Sequence, residues 1–189
     1  LDRPAQASAA PVVAAAPPAI AVLPFMDLSE HRDQGYLSDG LAEELVSRLT
    51  KIRELRVTAR ASSFAFRDQP DDIPSIAKKL NVDHILEGSV RKSGQRLRVS
   101  VQLVKASTGT SIWSETYDRE LTDIFAIQTD VALKIAAALR AELTPDERTR
   151  LHREPTADLA AYELYLRGRH YMVQFTESGF MQGIKLFED

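Results

Sequence analysis

The sequence has no cysteine among its 189 residues. Disulfide staples and thiolate metal sites are therefore excluded, while neither redox compartment is. No apolar run reaches the ~18 residues that a membrane-crossing helix needs. A basic excess is also missing: 24 Lys and Arg stand against 27 Asp and Glu, a formal net charge of -3. Chains that live on nucleic acid usually carry the opposite balance, so no nucleic acid is expected as a partner. His31, His84, His152 and His170 fall in neither H-x-x-x-H nor H-E-x-x-H spacing, and no metal is expected. G-x-S-x-G is absent, so Ser62 and Ser63 are not in a nucleophile elbow. Glu43 and Glu44 are adjacent on an expected helix and point in different directions, so they are not a facing acid/base pair. With no nucleophile, base and orienting group brought together, no catalytic residue and no cofactor are expected.

What is present suffices for one sizeable core. The chain is 44% hydrophobic, and at this length a domain buries roughly 70% of its unfolded surface. Residues 1–18, "LDRPAQASAAPVVAAAPP", are Ala/Pro-rich and read as a tether. "AIAVLPF" reads as a strand buried on both faces. "YLSDGLAEELVSRLTKI" places Leu41, Leu45, Leu49 and Ile52 at helical spacing, with Ser38 or Asp39 as cap and Glu43 and Glu44 near the positive end. "LRVTA" is a strand and "RASSFAFRDQPDD" a loop. A short helix follows with Ile73, Ile76, Ala77 and Leu80 on one side, capped by Asp71 or Asp72 and ended by Asn81.

The stretch "HILEGSVRKSGQRLRVSVQLV" sets two glycines, Gly88 and Gly94, among Arg91, Lys92, Arg96 and Arg98. A phosphate loop needs glycines where a strand passes into a helix, and here they lie within a strand and in a strand-to-strand turn. The alternation of Leu97, Val99, Val101 and Leu103 with Arg96, Arg98, Ser100 and Gln102 describes a hairpin with one wet face. A basic surface for a partner or acidic lipid is the other reading. Gly88 is expected at a bulge or a close contact. "SIWSETYD" completes a three-stranded antiparallel meander. "DIFAIQTDVALKIAAALRAEL" is a long helix with Ile124, Ile127, Val131, Ile135, Ala138 and Leu139 as its stripe, capped by Thr122 or Asp123. "TPDERTRLHREPT" is a short helical turn and linker, and a helical hairpin starts at Asp158.

The order β-α-β-α-β-β-β-α, then helices, predicts an α/β sandwich with a mixed sheet, its early βα units parallel and right-handed. In open sheets of this kind ligands settle at the carboxyl ends of parallel strands. Phe25, Asp27, Arg60, Ser62, Ser63 and Arg67 would lie there, either as a ligand crevice or as ordinary loop residues.

Five blocks carry a resemblance: "IAVLPF", "YLSDGLAEELVSRLTKIREL", "ASSFAFR", "LNVDHILEGSVRKSGQRLRVSVQLV" and "TGTSIWSETYDRELTDIFAIQTDVALKIA". Over about residues 19–143 the chain resembles a TolB amino-terminal-like domain, of the kind found in bacterial adenylate/guanylate cyclases and membrane-anchored winged-helix regulators. In those proteins tetratricopeptide repeats usually follow. "ELYLRGRHY" puts Leu164, Gly168 and Tyr171 at the spacing of W-x2-L-G-x2-Y, with Leu164 for the Trp and Arg167 for the Leu. Gly183 and Phe187 match A-x3-F.

The resemblance implies a non-catalytic regulatory module of a longer bacterial protein, lying upstream of which would be a cyclase or DNA-binding module, with a membrane tether between. A small-molecule or nucleotide-binding role, or an enzyme in its own right, is the alternative. The expected segments are linker 1–18, α/β domain 19–144, linker 145–156 and the start of a repeat region, 157–189. A protein partner, or a second copy of the chain, is expected on Leu164, Tyr165, Tyr171, Phe180, Ile184 and Phe187. The chain would sit in the cytoplasmic or periplasmic part of a membrane-anchored protein, on either side. It opens at Leu1 and stops at Asp189 within a helical pattern, and so is expected to be part of a longer protein.

Overall fold

A computed structural model describes residues 16–67, 69 and 71–188. Most of the expected 1–18 tether therefore lies outside the described residues. The sheet starts with β1 (Ala19–Val22), buried at every position. It lies between β3 (Arg56–Val57) and β4 (His84–Ser93) and runs parallel to both. A strand with neighbours on each side and helices over each face has no wet position, hence its unbroken apolar run. Pro24 interrupts the strand. After it β2 (Met26–Asp27) resumes alongside β4, again parallel. β5 (Arg96–Lys105) and β6 (Thr110–Glu120) complete an antiparallel meander, and the sheet order is β3-β1-β4-β5-β6. Gly94 and Gly109 sit in its turns at φ of 57° and 64°, where a side chain would be strained.

The fold is thus α/β with a mixed sheet. Leu86 and Ile85 are neighbours on β4 and face opposite ways. Leu86, Val90, Leu97, Val99, Val101 and Leu103 join the large core under α1 (Gly35–Thr50) and α4 (Ile124–Ala138). Ile85 joins a smaller one with Ile76 and Ala77 of α3 (Ile73–Leu80). Gly88 is a close contact rather than a bulge. The register runs through it unbroken, opposite Val101. A Cβ there would lie 2.7 Å from the Ser100 carbonyl oxygen and 2.8 Å from the Phe25 ring.

Several expectations need correction. α1 begins at Gly35, with no side-chain cap, so Ser38 and Asp39 lie within it and are buried. The end is organised from a distance instead: the Asp27 carboxylate accepts from the N–H groups of Ser29 (2.9 Å) and Gln34 (2.7 Å). Glu43 and Glu44 accordingly sit mid-helix. The supposed loop after β3 contains a short helix, α2 (Arg60–Phe64). α4 stops five residues before Leu143, at Ala138, and Arg140 turns to φ 56°; Ala138 is exposed rather than part of the stripe. Asp123 stands at the α4 start without a side-chain cap bond. α3 matches its reading: Asp72 accepts from the Ser75 N–H at 2.9 Å and Asn81 ends it left-handed.

Segment 145–156 carries α5 (Pro145–His152), closed by a capping box between Thr144 and Glu147. Leu151 of α5 is fully buried in the main core. α6 (Leu159–Met172), capped by Asp158, and α7 (Glu177–Glu188) form the hairpin. α6 leans on α1. Tyr162 and Leu166 enter the same core, and the Leu166 side chain rests where a Cβ on Gly40 would be, 2.6 Å away.

Arg48 of α1 ties these pieces together at 2% exposure. It donates to Thr129 Oγ1 (3.1 Å), Gln128 Oε1 (3.2 Å) and the Leu151 carbonyl. Gln128 in turn donates to the Tyr162 hydroxyl at 3.0 Å. Arg48→Ala would strand these buried acceptors and open a cavity. It is expected to cost about 3 kcal/mol or more, read as a lowered urea midpoint, whereas Arg53→Ala, on an exposed side chain, should stay within about 0.5 kcal/mol.

Glu147 supplies a pH dependence. The Arg53 and Thr144 N–H groups and the Thr144 hydroxyl hold its carboxyl down at about 2, against an ordinary 4.5. A depressed folded-state pKa contributes stability that is present above the unfolded value and lost as pH falls. Between about pH 4.5 and 2 the thermal midpoint should therefore drop, and more shallowly in Glu147→Gln.

Candidate functional site

A cleft of about 1060 Å³ opens at the carboxyl end of β1, where neighbouring connections leave in opposite directions along the sheet. Phe25, Asp27 and Arg67 line it; Arg60, Ser62 and Ser63 do not. Even the first three are largely occupied. Phe25 is 2% exposed and packs on Gly88. Asp27 accepts two backbone N–H groups. Arg67 pairs with Asp39 at 2.5 Å. Ser62 is exposed, while Ser63 is buried with a hydroxyl that has no partner among the described residues.

Arg60 turns instead into a cluster between α1 and α6. Glu43 holds both Arg60 and Arg169, the latter at 2.6 Å, and His170 Nδ1 lies 3.4 Å from Asp39. Arg60, expected at a ligand crevice, thus ties α2 to α1.

The cleft's floor went unread. It is the wet face of the meander: Glu87 and Ser89 of β4, Ser100 and Gln102 of β5, Ser114 and Thr116 of β6. They stand in register as Glu87–Gln102–Ser114 and Ser89–Ser100–Thr116. The signal was the alternation itself, which showed these side chains pointing away from the core but not what stood beside them. Burial alone pushes the Glu87 carboxyl up from its ordinary value.

The basic hairpin is partly answered by nearby carboxylates. Arg96 and Arg98 both pair with Asp118, Lys92 pairs with Glu163, and Arg91 donates to the Leu28 carbonyl. Among the described residues, no three His, Asp or Glu side chains are grouped to hold a metal. Nor is any helix there long and apolar enough to cross a membrane.

A second surface lies on the hairpin. Tyr165, Phe180, Ile184 and Phe187 are 42%, 37%, 47% and 47% exposed, and Leu164 and Tyr171 are half-buried. Phe175 and Met181, not singled out in the sequence, are more exposed still, at 81% and 67%.

Fold and surfaces together define a class: an α/β domain with a mixed sheet and an attached helical hairpin. Within that class the chain belongs to the HilA/YgeH-like transcriptional regulator second-domain family, whose model matches residues 16–134. It is 40% identical over 171 residues to "Putative adenylate cyclase 3" of Rhizobium meliloti (strain 1021), a match covering 90% of this chain and 29% of that protein. The chain therefore spans under a third of its relative's length. Among solved structures, TolB from Acinetobacter baumannii superposes with a TM-score of 0.49 at 16% identity, over 65% of this chain and 28% of that one. Lipoprotein GNA1162 from Neisseria meningitidis gives 0.48 at 15%, over 64% and 97%.

The ion cluster makes a direct prediction. Glu43→Gln keeps the volume but leaves Arg60 and Arg169 sharing no anion. A loss of about 1–2 kcal/mol is expected in chemical unfolding, reduced by the partial exposure of both guanidinium groups. Glu30→Gln, on an exposed loop, should be near neutral.

Proposed function

We propose that this chain is a non-catalytic regulatory module of a larger bacterial signalling protein, acting by protein contact through its helical hairpin. The observation that carries the reading is the asymmetry of that hairpin. One side is built into the core through Tyr162 and Leu166, while the other leaves Phe180, Met181, Ile184 and Phe187 in water. An isolated apolar strip of this kind on a helix needs a partner surface.

The hairpin is proposed to be a tetratricopeptide repeat, a reading supported by the close approach of its two helices. Gly168 lets α6 approach α7 so closely that a Cβ would meet the Phe187 ring at 2.3 Å, and Gly183 does the same against Met172. A repeat of this type buries its outer face against the next, so the proposed occupant is the first helix of a further repeat. A second copy of the chain is the competing occupant. The output module is proposed to be a nucleotide cyclase, supported by the 40% identical relative. The family description supports a transcriptional output as the second reading.

In the full protein, Phe180→Asp with Ile184→Asp is expected to change output activity while leaving the melting of the isolated chain within a few degrees. The isolated chain should convert neither ATP nor GTP. Unchanged output and assembly in the double variant would overturn the reading. A concentration-dependent dimer in light scattering, lost in the same variant, would assign the strip to self-association.

A further inference from the structure

The cleft floor holds a carboxylate that the fold leaves without a partner. Every other anion lining the cleft is answered from within: Asp27 by the Ser29 and Gln34 N–H groups, Asp71 by Lys79 at 2.7 Å, Glu115 by Lys134 at 2.6 Å. Arg67, a lining cation, is answered by Asp39. Glu87 lies on the floor between these groups, half-buried, and its carboxylate makes no hydrogen bond or ion pair among the described residues. Arg32 lines the cleft too, but as an exposed side chain.

Half-burying an ionised carboxylate without a partner costs free energy. Nothing in the packing requires it: the position faces away from the main core, opposite Gln102, and an amide or hydroxyl would serve there. The surroundings grade from charged to neutral polar to apolar. Gln102 and Ser114 continue the Glu87 row across the sheet, and Ser89, Ser100 and Thr116 form the next. Ser100 and Thr116 hydroxyls bond each other at 3.1 Å, which leaves one hydroxyl proton and the remaining oxygen lone pairs unused by that bond. Leu23, Phe66, Ile73 and Ile76 give one wall an apolar character, and Met26 stands 63% exposed among the lining. A volume of about 1060 Å³ is at the upper end for small-molecule sites, which usually run about 300–1,000 Å³.

We propose that this cleft binds a small organic cation, an amine or guanidinium on a short alkyl chain, with its charged head on Glu87. The head replaces the water that the carboxylate has partly lost. Serine, threonine and glutamine side chains take the remaining N–H donors. The alkyl chain lies along Phe66, Ile73 and Ile76. A charge-assisted bond in a partly desolvated site is roughly twice as strong as a neutral one, so the head group rather than the chain sets selectivity. This site does not depend on the hairpin's role, and the failure of either leaves the other standing.

The test is calorimetric titration of the full chain with n-butylamine and with n-butylguanidinium, beside n-butanol and butyrate as neutral and anionic controls. Saturable binding of at least one cation and of neither control is expected. Glu87→Gln should weaken it about tenfold or more, while raising the melting temperature of the unliganded chain because the unpaired charge is gone. That rise also shows that the variant folds. Gln102→Ala should weaken binding less. No saturable binding of either cation overturns the proposal, as does binding that Glu87→Gln leaves unchanged, or equal binding of butanol.

Discussion

A guanidinium shut away from water constrains everything on one side of this sheet. Among the described residues Arg48 has no carboxylate bonded to it; its partners are a hydroxyl, an amide oxygen and a peptide carbonyl. Burial pushes its pKa down, partly countered by the nearby Glu44. The carbonyl belongs to Leu151, in the last turn of α5, where the helix dipole is negative. The terminus of a two-turn helix thus takes the place of a counter-ion. α5 can serve only if held there, and its own capping box and the Glu147 bond to the Arg53 N–H hold it. Such a group is costly to bury and costly to strand, so its partners are fixed relative to one another: α1, α4 and α5 directly, α6 through Gln128 and Tyr162.

α1 is accordingly enclosed on more than one side. Residues Tyr36 to Ala42 are buried in unbroken succession, which no helix with a single core face would show. One side takes the sheet; another takes α6, close enough that Gly40 leaves its space to Leu166. Polar side chains inside such an interface need partners, and Asp39 and Glu43 find them in Arg67, Arg60 and Arg169.

This enclosure explains which readings of the sequence held. Where a segment has one wet and one dry face, pattern and place agree: Leu97, Val99, Val101 and Leu103 are all buried, and their neighbours line an open surface. Local chemistry was equally legible at α3, where Asp72 and Asn81 act within a few residues of themselves. Long-range chemistry was not. Ser38 and Asp39 look like caps because capping residues are recognised locally, yet Asp27 organises that end across seven residues and the interior takes the other two. Arg60 and Arg67 look like ligand holders for the same reason, since Glu43 and Asp39 are distant in sequence. The cleft floor lies on three strands whose register, not composition, makes it a floor.

Cleft and hairpin are not mechanically separate. Arg67 lines the cleft and pairs with Asp39, and Asp39 also faces His170 on α6. Glu43, one helical turn further on, holds Arg60 of α2 and Arg169 of α6. The segment walling the cleft and the helix carrying the hairpin therefore share their counter-ions on α1. If the proposed cleft ligand displaced Arg67, Asp39 would lose its ion-pair partner beside α6. By linkage the converse holds as well: a partner that shifted α6 would change affinity in the cleft by the same factor. Adjacency alone does not create such coupling; it requires a differential interaction with two states, and Glu43, which pairs with both Arg60 and Arg169, is the place in this fold where one would arise.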